Sequence, residues 1–312
     1  MCCLFGLLDR NRILSAPQKN RILTVLATEC EARGTDATGI AYNSGGRLCI
    51  YKRPVPAHRL SFRVPEDACV IMGHTRMTTQ GSERRNRNNH PFLGSAGNQN
   101  FALAHNGVLY NDTSLRKSLK LPKTKIQTDS YIAVQLIEQK KALNMDSLKY
   151  MAEQVEGSFS FTVLDDKNQL YFIKGDNPLC IYRWPKSGLV MYASTEEILK
   201  KALAKLRLPL EAPVSFYVSC GDILKFDQNG AYSTSSFNTV NLMHSWYLMN
   251  SRATGWTSLT TPPPRQFHEG QYIKDLKSLA RYFGYTPEDI DLLLEEGFSP
   301  DELEEYLYSG KL

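Results

Sequence analysis

Between residues 158 and 193 the chain runs through four short strand-like stretches, 158–165, 169–174, 179–184 and 188–193. Only turn residues such as Asp165-Asp166 and Lys186-Ser187-Gly188 separate them. Many strands with few helices between them fit a layered α+β domain better than a regular βαβ parallel sheet. Further strand-like runs occur at 2–8, 38–43, 47–53, 68–74, 101–105 and 107–110, and a hairpin near 218–236 turns at Asp227-Gln228-Asn229-Gly230. Helical periodicity is confined to a few segments. Residues 17–32 carry Ile22, Leu23, Val25, Leu26 and Ala27 without an internal Gly or Pro, and 128–140 and 146–154 follow the same logic. Thr195 is placed to cap a helix over 196–205. The stretch 77–100 is polar and rich in Asn and Gly. It reads as a loop, long enough to suggest a functional one.

The character changes near residue 240. The reading is a main domain over 2–240, a linker over 241–270 containing Thr260-Thr261-Pro262-Pro263-Pro264, and a small three-helix module over 271–312. In that module Tyr272–Phe283 is amphipathic and stops at Gly284. Thr286-Pro287-Glu288-Asp289 and Ser299-Pro300-Asp301-Glu302 each combine an N-cap, a proline at the first helical position and acidic residues in the first turn. This acidic tail, with Phe283-Gly284-Tyr285 and Gly297-Phe298 at its helix junctions, is similar to a ubiquitin-associated-type bundle, which implies a docking module for a protein partner.

Composition narrows the function classes. Hydrophobic residues make up 42% and charged residues 22% of the 312, ordinary for a folded globular chain. No apolar run approaches the roughly 18 residues a bilayer span needs. Asp9, Arg10, Asn11 and Arg12 interrupt the apolar start, so no signal peptide is expected. A net charge of +5, scattered apart from Arg84-Arg85-Asn86-Arg87, does not call for nucleic acid. The seven cysteines are odd in number and form no Cys-x-x-Cys pair, which fits reduced thiols in a cytoplasmic protein.

The chemistry is concentrated at Met1-Cys2-Cys3-Leu4-Phe5-Gly6. A small second residue permits Met1 removal. Cys2 then carries a thiol and a free α-amine in one residue, a nucleophile with its own base. Four further stretches accompany it: Arg33-Gly34-Thr35-Asp36-Ala37-Thr38-Gly39, Gly73-His74-Thr75-Arg76-Met77-Thr78-Thr79-Gln80-Gly81, Ala104-His105-Asn106-Gly107-Val108 and Thr128-Asp129-Ser130. In order and spacing the five resemble the glutaminase domain of class II glutamine amidotransferases, which are N-terminal nucleophile hydrolases. The glutaminase half of glucosamine-6-phosphate synthases is the nearest likeness. Gly157-Ser158-Phe159, Gly175-Asp176-Asn177-Pro178-Leu179 and Ala193-Ser194 extend it over roughly residues 2–235.

The resemblance implies a four-layer αββα sandwich and attack of Cys2 on the glutamine side-chain amide. It implies an oxyanion hole from the Asn106 side chain and the Gly107 N–H; alone, Asn-Gly would read as a plain turn. It implies Arg76 at the substrate α-carboxylate with Thr79 assisting, and Asp129 at the α-ammonium. Arg33 and Asp36 support the site from behind or simply pair with each other. No metal or other cofactor belongs to this chemistry, so His74, His90 and His105 read as core or loop residues. Three positions depart from the family pattern: Cys3 stands where Gly is usual, Met77 where an aromatic residue is usual and Gln80 where His is common. About 75 residues follow the matched region, fewer than a typical domain of ~100–150. The expectation is therefore a stand-alone glutaminase subunit serving a separate synthase, with a catalytically silent binding or regulatory subunit as the alternative. An N-terminal nucleophile amidase for another amide is a third reading, which Arg76 and Asp129 disfavour.

Overall fold

The structure, a computed structural model, describes residues 2–242 and 285–298 together with Ile273, Lys277, Ala280 and Leu303. It divides into two compact units, Met1–Gly255 and Trp256–Leu312. The first unit opens with β1 (Cys3–Asp9), α1 (Ala16–Glu29), β2 (Ala37–Ser44), β3 (Arg47–Arg53), β4 (Val70–Arg76), β5 (Phe92–Ala96) and β6 (Gln99–Leu109). It continues through α2 (Asp112–Ser118), α3 (Tyr131–Gln139), α4 (Met145–Gln154), β7 (Gly157–Asp165), β8 (Leu170–Lys174), β9 (Cys180–Trp184) and β10 (Leu189–Ala193). It closes with α5 (Glu196–Leu206), β11 (Val214–Phe216), β12 (Asp222–Phe226) and β13 (Tyr232–Ser236).

Seven strands pair in the order β11-β9-β10-β1-β4-β2-β3 and six in the order β13-β12-β8-β7-β6-β5. All of these pairings are antiparallel. Alternation along each strand sends side chains to two different cores. From β1, Phe5 and Leu7 enter a core with Ile22, Leu23 and Leu26 of α1 and Ile198, Leu199 and Ala202 of α5. Leu4 and Leu8 enter a second core between the sheets, with Met72, Ala104, Leu164, Phe172 and Tyr192. The outer face of the second sheet, with Phe159, Phe161 and Val163 from β7, packs against Ile132, Leu136 and Ile137 of α3 and Leu148 and Met151 of α4. The result is the α+β, four-layer αββα sandwich. Strands buried on both faces also explain why the sequence shows short continuous apolar runs rather than clean alternation.

Local signals match in several places. Thr195 accepts a hydrogen bond from the Ile198 N–H and caps α5. Asn144 and Ser147 form a reciprocal capping box at α4. The expected helix over 17–32 ends earlier, at Glu29, and tightens into a single 3₁₀ turn over Cys30–Ala32. The largest correction concerns 77–100, expected to be loop. Its last third is a hairpin in which β5 pairs with the start of β6, Phe92 opposite Leu103 and Ala96 opposite Gln99. Phe92, Gly94 and Ala96 face inward while Leu93 and Ser95 face out. Small residues at Gly94 and Ser95 hide this period of two from a hydropathy reading. Two further elements, α2 and β11, were not expected.

In the second unit the described helix, α6 (Pro287–Glu295), starts as expected, with Thr286 and Asp289 in a capping box and Pro287 in the first turn. Ile290 is buried with Ala280 and Leu303, and Tyr285, Leu293, Leu294 and Phe298 pack around them. The linker expected over 241–270 lies outside the described residues except for Asn241 and Leu242. The helices expected over Tyr272–Phe283 and after Ser299 lie largely outside them too. Among the described residues no helix is long and apolar enough to cross a membrane.

Candidate active site

The register of one strand assembles the site. β1 is antiparallel to both of its neighbours, with Cys3 opposite Thr75 of β4 and Phe5 opposite Ala193 of β10. Its beginning therefore lies beside the ends of the other two, where Arg76 and Ser194 stand. Cys3 points into the helix-side core, where its Sγ lies 2.9 Å from the Cys30 Sγ. Leu4 points between the sheets. By alternation Cys2 is on the inter-sheet side, away from Cys3. Cys2 is half-buried; its thiol approaches the Met77 carbonyl at 3.5 Å, and its carbonyl accepts from the Arg33 Nε at 3.1 Å. Burial raises the Cys2 pKa, against which the nearby Arg76 charge acts.

Arg33 and Asp36 thus serve different parts of the site. Arg33 reaches the main chain of Cys2, whereas Asp36 accepts from the Thr78 N–H at 2.6 Å and donates its own N–H to the Arg76 carbonyl at 2.9 Å. Gly34 permits this: a Cβ there would collide with the Arg76–Met77 peptide. Arg76 itself is almost wholly buried. Its guanidinium donates to Asn89 Oδ1 at 2.7 Å and to the carbonyls of Gln80 and Gly81 at 2.6 and 3.1 Å. Gln80 is thus used through its backbone, and the departure at its side chain leaves this contact unaffected. Thr79 stands exposed on the same segment.

Asn88 and Asn89 are site-building residues that the motif reading passed over. Both are fully buried. Asn89 reaches the Glu83 carbonyl, and Asn88 reaches Ser82. Asn88 also accepts from the Gln127 N–H and takes the Thr128 hydroxyl on its carbonyl. Together they tie the loop that Arg76 grips to the segment ahead of Asp129. The one available signal was the density of Asn residues in 86–89.

Asp129 precedes α3. Its Oδ2 accepts the Leu109 N–H at 2.7 Å, while Oδ1 has a long contact of 3.4 Å with the Ser130 hydroxyl. Its charge acts on Cys2, Arg76 and His105. Asn106 and Gly107 lie within β6, not in a turn. Gly107 has φ +139°, and a Cβ there would run into the Ser158 carbonyl. The Asn106 side chain is fully buried; its Nδ2 lies 3.5 Å from Ser194 Oγ and its Oδ1 has no partner. The arrangement brings a thiol, a guanidinium, a carboxylate and a weakly committed carboxamide together.

The three histidines form a buried layer behind β4 and β6. His74 donates Nε2–H to the His105 carbonyl at 2.9 Å and packs on His90, whose ring centroid is 4.2 Å away. His105 pairs with the Ser130 hydroxyl at 2.8 Å and stacks on Phe161. Burial lowers all three pKa values, that of His74 to about 3, so the rings are neutral near pH 7. Among the described residues no group of His, Cys, Asp and Glu is arranged to hold a metal ion.

Residues 74–201 fit the model of a glutamine amidotransferase domain. A glutamine–fructose-6-phosphate aminotransferase (isomerizing) of Sulfurisphaera tokodaii is 32% identical over 191 residues, 58% of this chain and 31% of the relative. A 7-cyano-7-deazaguanine synthase of Saccharolobus solfataricus is 28% identical over 189 residues, 57% of this chain and 39% of the relative. In fold, the glutamine phosphoribosylpyrophosphate amidotransferase of B. subtilis superposes with a TM-score of 0.59 at 21% identity, over 77% of this chain and 50% of the other. The chain spans only about a third of the length of the curated relatives named here. The antiparallel αββα sandwich, the motif residues gathered at the start of β1 and the matched relatives lead to one assignment: residues 74–201 belong to a glutamine amidotransferase domain, and the chain is similar to the class II, N-terminal nucleophile type.

Proposed function

We propose that the chain hydrolyses L-glutamine to L-glutamate and ammonia, with Cys2 as nucleophile once Met1 is removed. The free α-amine takes the thiol proton, and the thiolate attacks the side-chain amide carbon. The oxyanion is held by the Asn106 side chain and the Gly107 N–H. Collapse returns the proton to the leaving nitrogen and expels ammonia, leaving a γ-glutamyl thioester that water cleaves. Arg76 receives the substrate α-carboxylate, with Thr79 beside it, and Asp129 the α-ammonium. One observation carries this reading: the Cys2 thiol lies within the fields of both a buried guanidinium, Arg76, and a buried carboxylate, Asp129, the two charges a zwitterionic amino acid requires. Burial that raises the thiol pKa makes a local base necessary, which the α-amine supplies.

The ammonia passes to a separate synthase in this reading. Support comes from the relatives, whose names denote amino-group transfer and synthesis and in which the matched region is a minor part. The decisive experiment is the intact mass of the purified protein before and after treatment with 6-diazo-5-oxo-norleucine, with peptide mapping. Loss of Met1 and a single adduct on Cys2 support the reading. A processed protein that takes no label sinks it in favour of a silent binding subunit.

A further inference from the structure

Ser194 directly follows β10 and is fully buried. Its Oγ accepts the Leu4 N–H at 2.9 Å, two residues from Cys2, and lies 3.5 Å from Asn106 Nδ2. One hydroxyl therefore touches both the strand that carries the nucleophile and the carboxamide assigned to the oxyanion. The Asn106 Oδ1, buried, has no hydrogen-bond partner. An orphaned buried acceptor destabilises the fold. It is also the wrong end of the amide for catalysis, since an unpartnered carbonyl oxygen repels a developing negative charge. The oxygen and nitrogen of an Asn amide differ little in shape, and its hydrogen-bond network decides between them. Turning this carboxamide over brings Oδ1 to face the Ser194 hydroxyl, which can donate to it, and leaves the Nδ2 N–H groups at the partnerless position, where an oxyanion can take them.

We propose that Ser194 is a positioning residue. It donates to Asn106 Oδ1 and so locks the amide with its N–H groups toward the oxyanion. The inference rests on the glutaminase reading above and deepens it. Ser194 touches no substrate atom; it acts through Asn106. Losing an oxyanion donor outright typically reduces kcat by about 10²–10³, so loss of its orientation is expected to give a smaller drop, about 10- to 100-fold.

The test is steady-state ammonia release from glutamine by wild type, Ser194→Ala, Ser194→Cys, Asn106→Ala and the Ser194→Ala/Asn106→Ala double variant, with thermal unfolding of each. The expected result is a kcat for Ser194→Ala lowered about 10- to 100-fold with KM within about twofold. The volume-matched, weaker donor of Ser194→Cys falls between it and wild type. In the Asn106→Ala background the Ser194 change adds less than about twofold, because its route of action is already gone. A structural role would instead multiply the two losses. That result, a Ser194→Ala enzyme within about twofold of wild type, or a change confined to KM would each overturn the proposal. A Ser194→Ala protein that fails to fold leaves the decision to Ser194→Cys, whose unchanged kcat overturns it equally. Wild type that releases no ammonia overturns the glutaminase reading and this one together, which an active wild type with a silent Ser194 change does not.

Discussion

At the level of single residues, the site is a set of charges and dipoles held by the backbone. Asp129→Asn isolates charge from structure, because the amide oxygen still accepts the Leu109 N–H. The variant is expected to fold normally and to raise the KM for glutamine at least about tenfold, the equivalent of about 1.4 kcal/mol. An unchanged KM would remove Asp129 from the substrate α-ammonium. Asn106→Ala is expected to lower kcat by about 10²–10³ with little change in KM; a loss confined to KM would assign Asn106 to ground-state binding instead. The buried histidines predict a pH dependence of stability. Burial lowers their folded pKa values below the ordinary 6.5, to about 3 for His74, so the unfolded chain binds more protons than the folded one across that interval. Stability is fully present above about pH 6.5 and is lost as pH falls toward 3, by up to about 1.4 kcal/mol per pH unit for each histidine. Urea midpoints that agree at pH 7 and pH 5 would mean the rings are charged in the fold.

At the level of elements, local chemistry was legible where it is self-contained. The Thr195 cap and the Thr286-Pro287 start were readable because a cap needs only its own next three residues. Thr195→Ala is accordingly expected to destabilise the first unit by about 1 kcal/mol, measured by chemical denaturation, with the glutamine KM unchanged. The hairpin from β5 to β6 was not legible. Gly94 and Ser95 carry little hydropathy, and the strand exists because β6 offers it an edge and α3 covers its inner face. Gly107 lies between these cases. Asn-Gly announces an unusual backbone, but only the neighbouring β7 turns that into a steric demand. Gly107→Ala must both leave φ +139° and clear the Ser158 carbonyl. It is expected to abolish labelling of Cys2 by 6-diazo-5-oxo-norleucine and to lower the melting temperature; wild-type labelling would show that β6 tolerates the shift.

At the level of the whole molecule, the linear order of residue types was readable directly: the Met-Cys start, the Arg76, Asn106 and Asp129 motifs, and short, closely spaced apolar runs that favour a layered α+β domain. The boundaries of α1, α3, α4 and α5 are readable too, within a few residues, because capping and periodicity act over one or two turns. That Cys2 and Cys3 face opposite layers, and that Arg33 and Asp36 hold different segments, emerges only once the sheets are assembled. The same is true of the buried, neutral histidines and of the places of Asn88, Asn89 and Ser194 beside the candidate site residues. The physical reason is that these facts depend on strand register. Cys3 meets Thr75 and Phe5 meets Ala193 through hydrogen bonds between segments far apart in the chain, and a shift of one residue would send every side chain to the other face. No local propensity specifies such a pairing; it is selected by the three cores that form when both sheets and their helices close together.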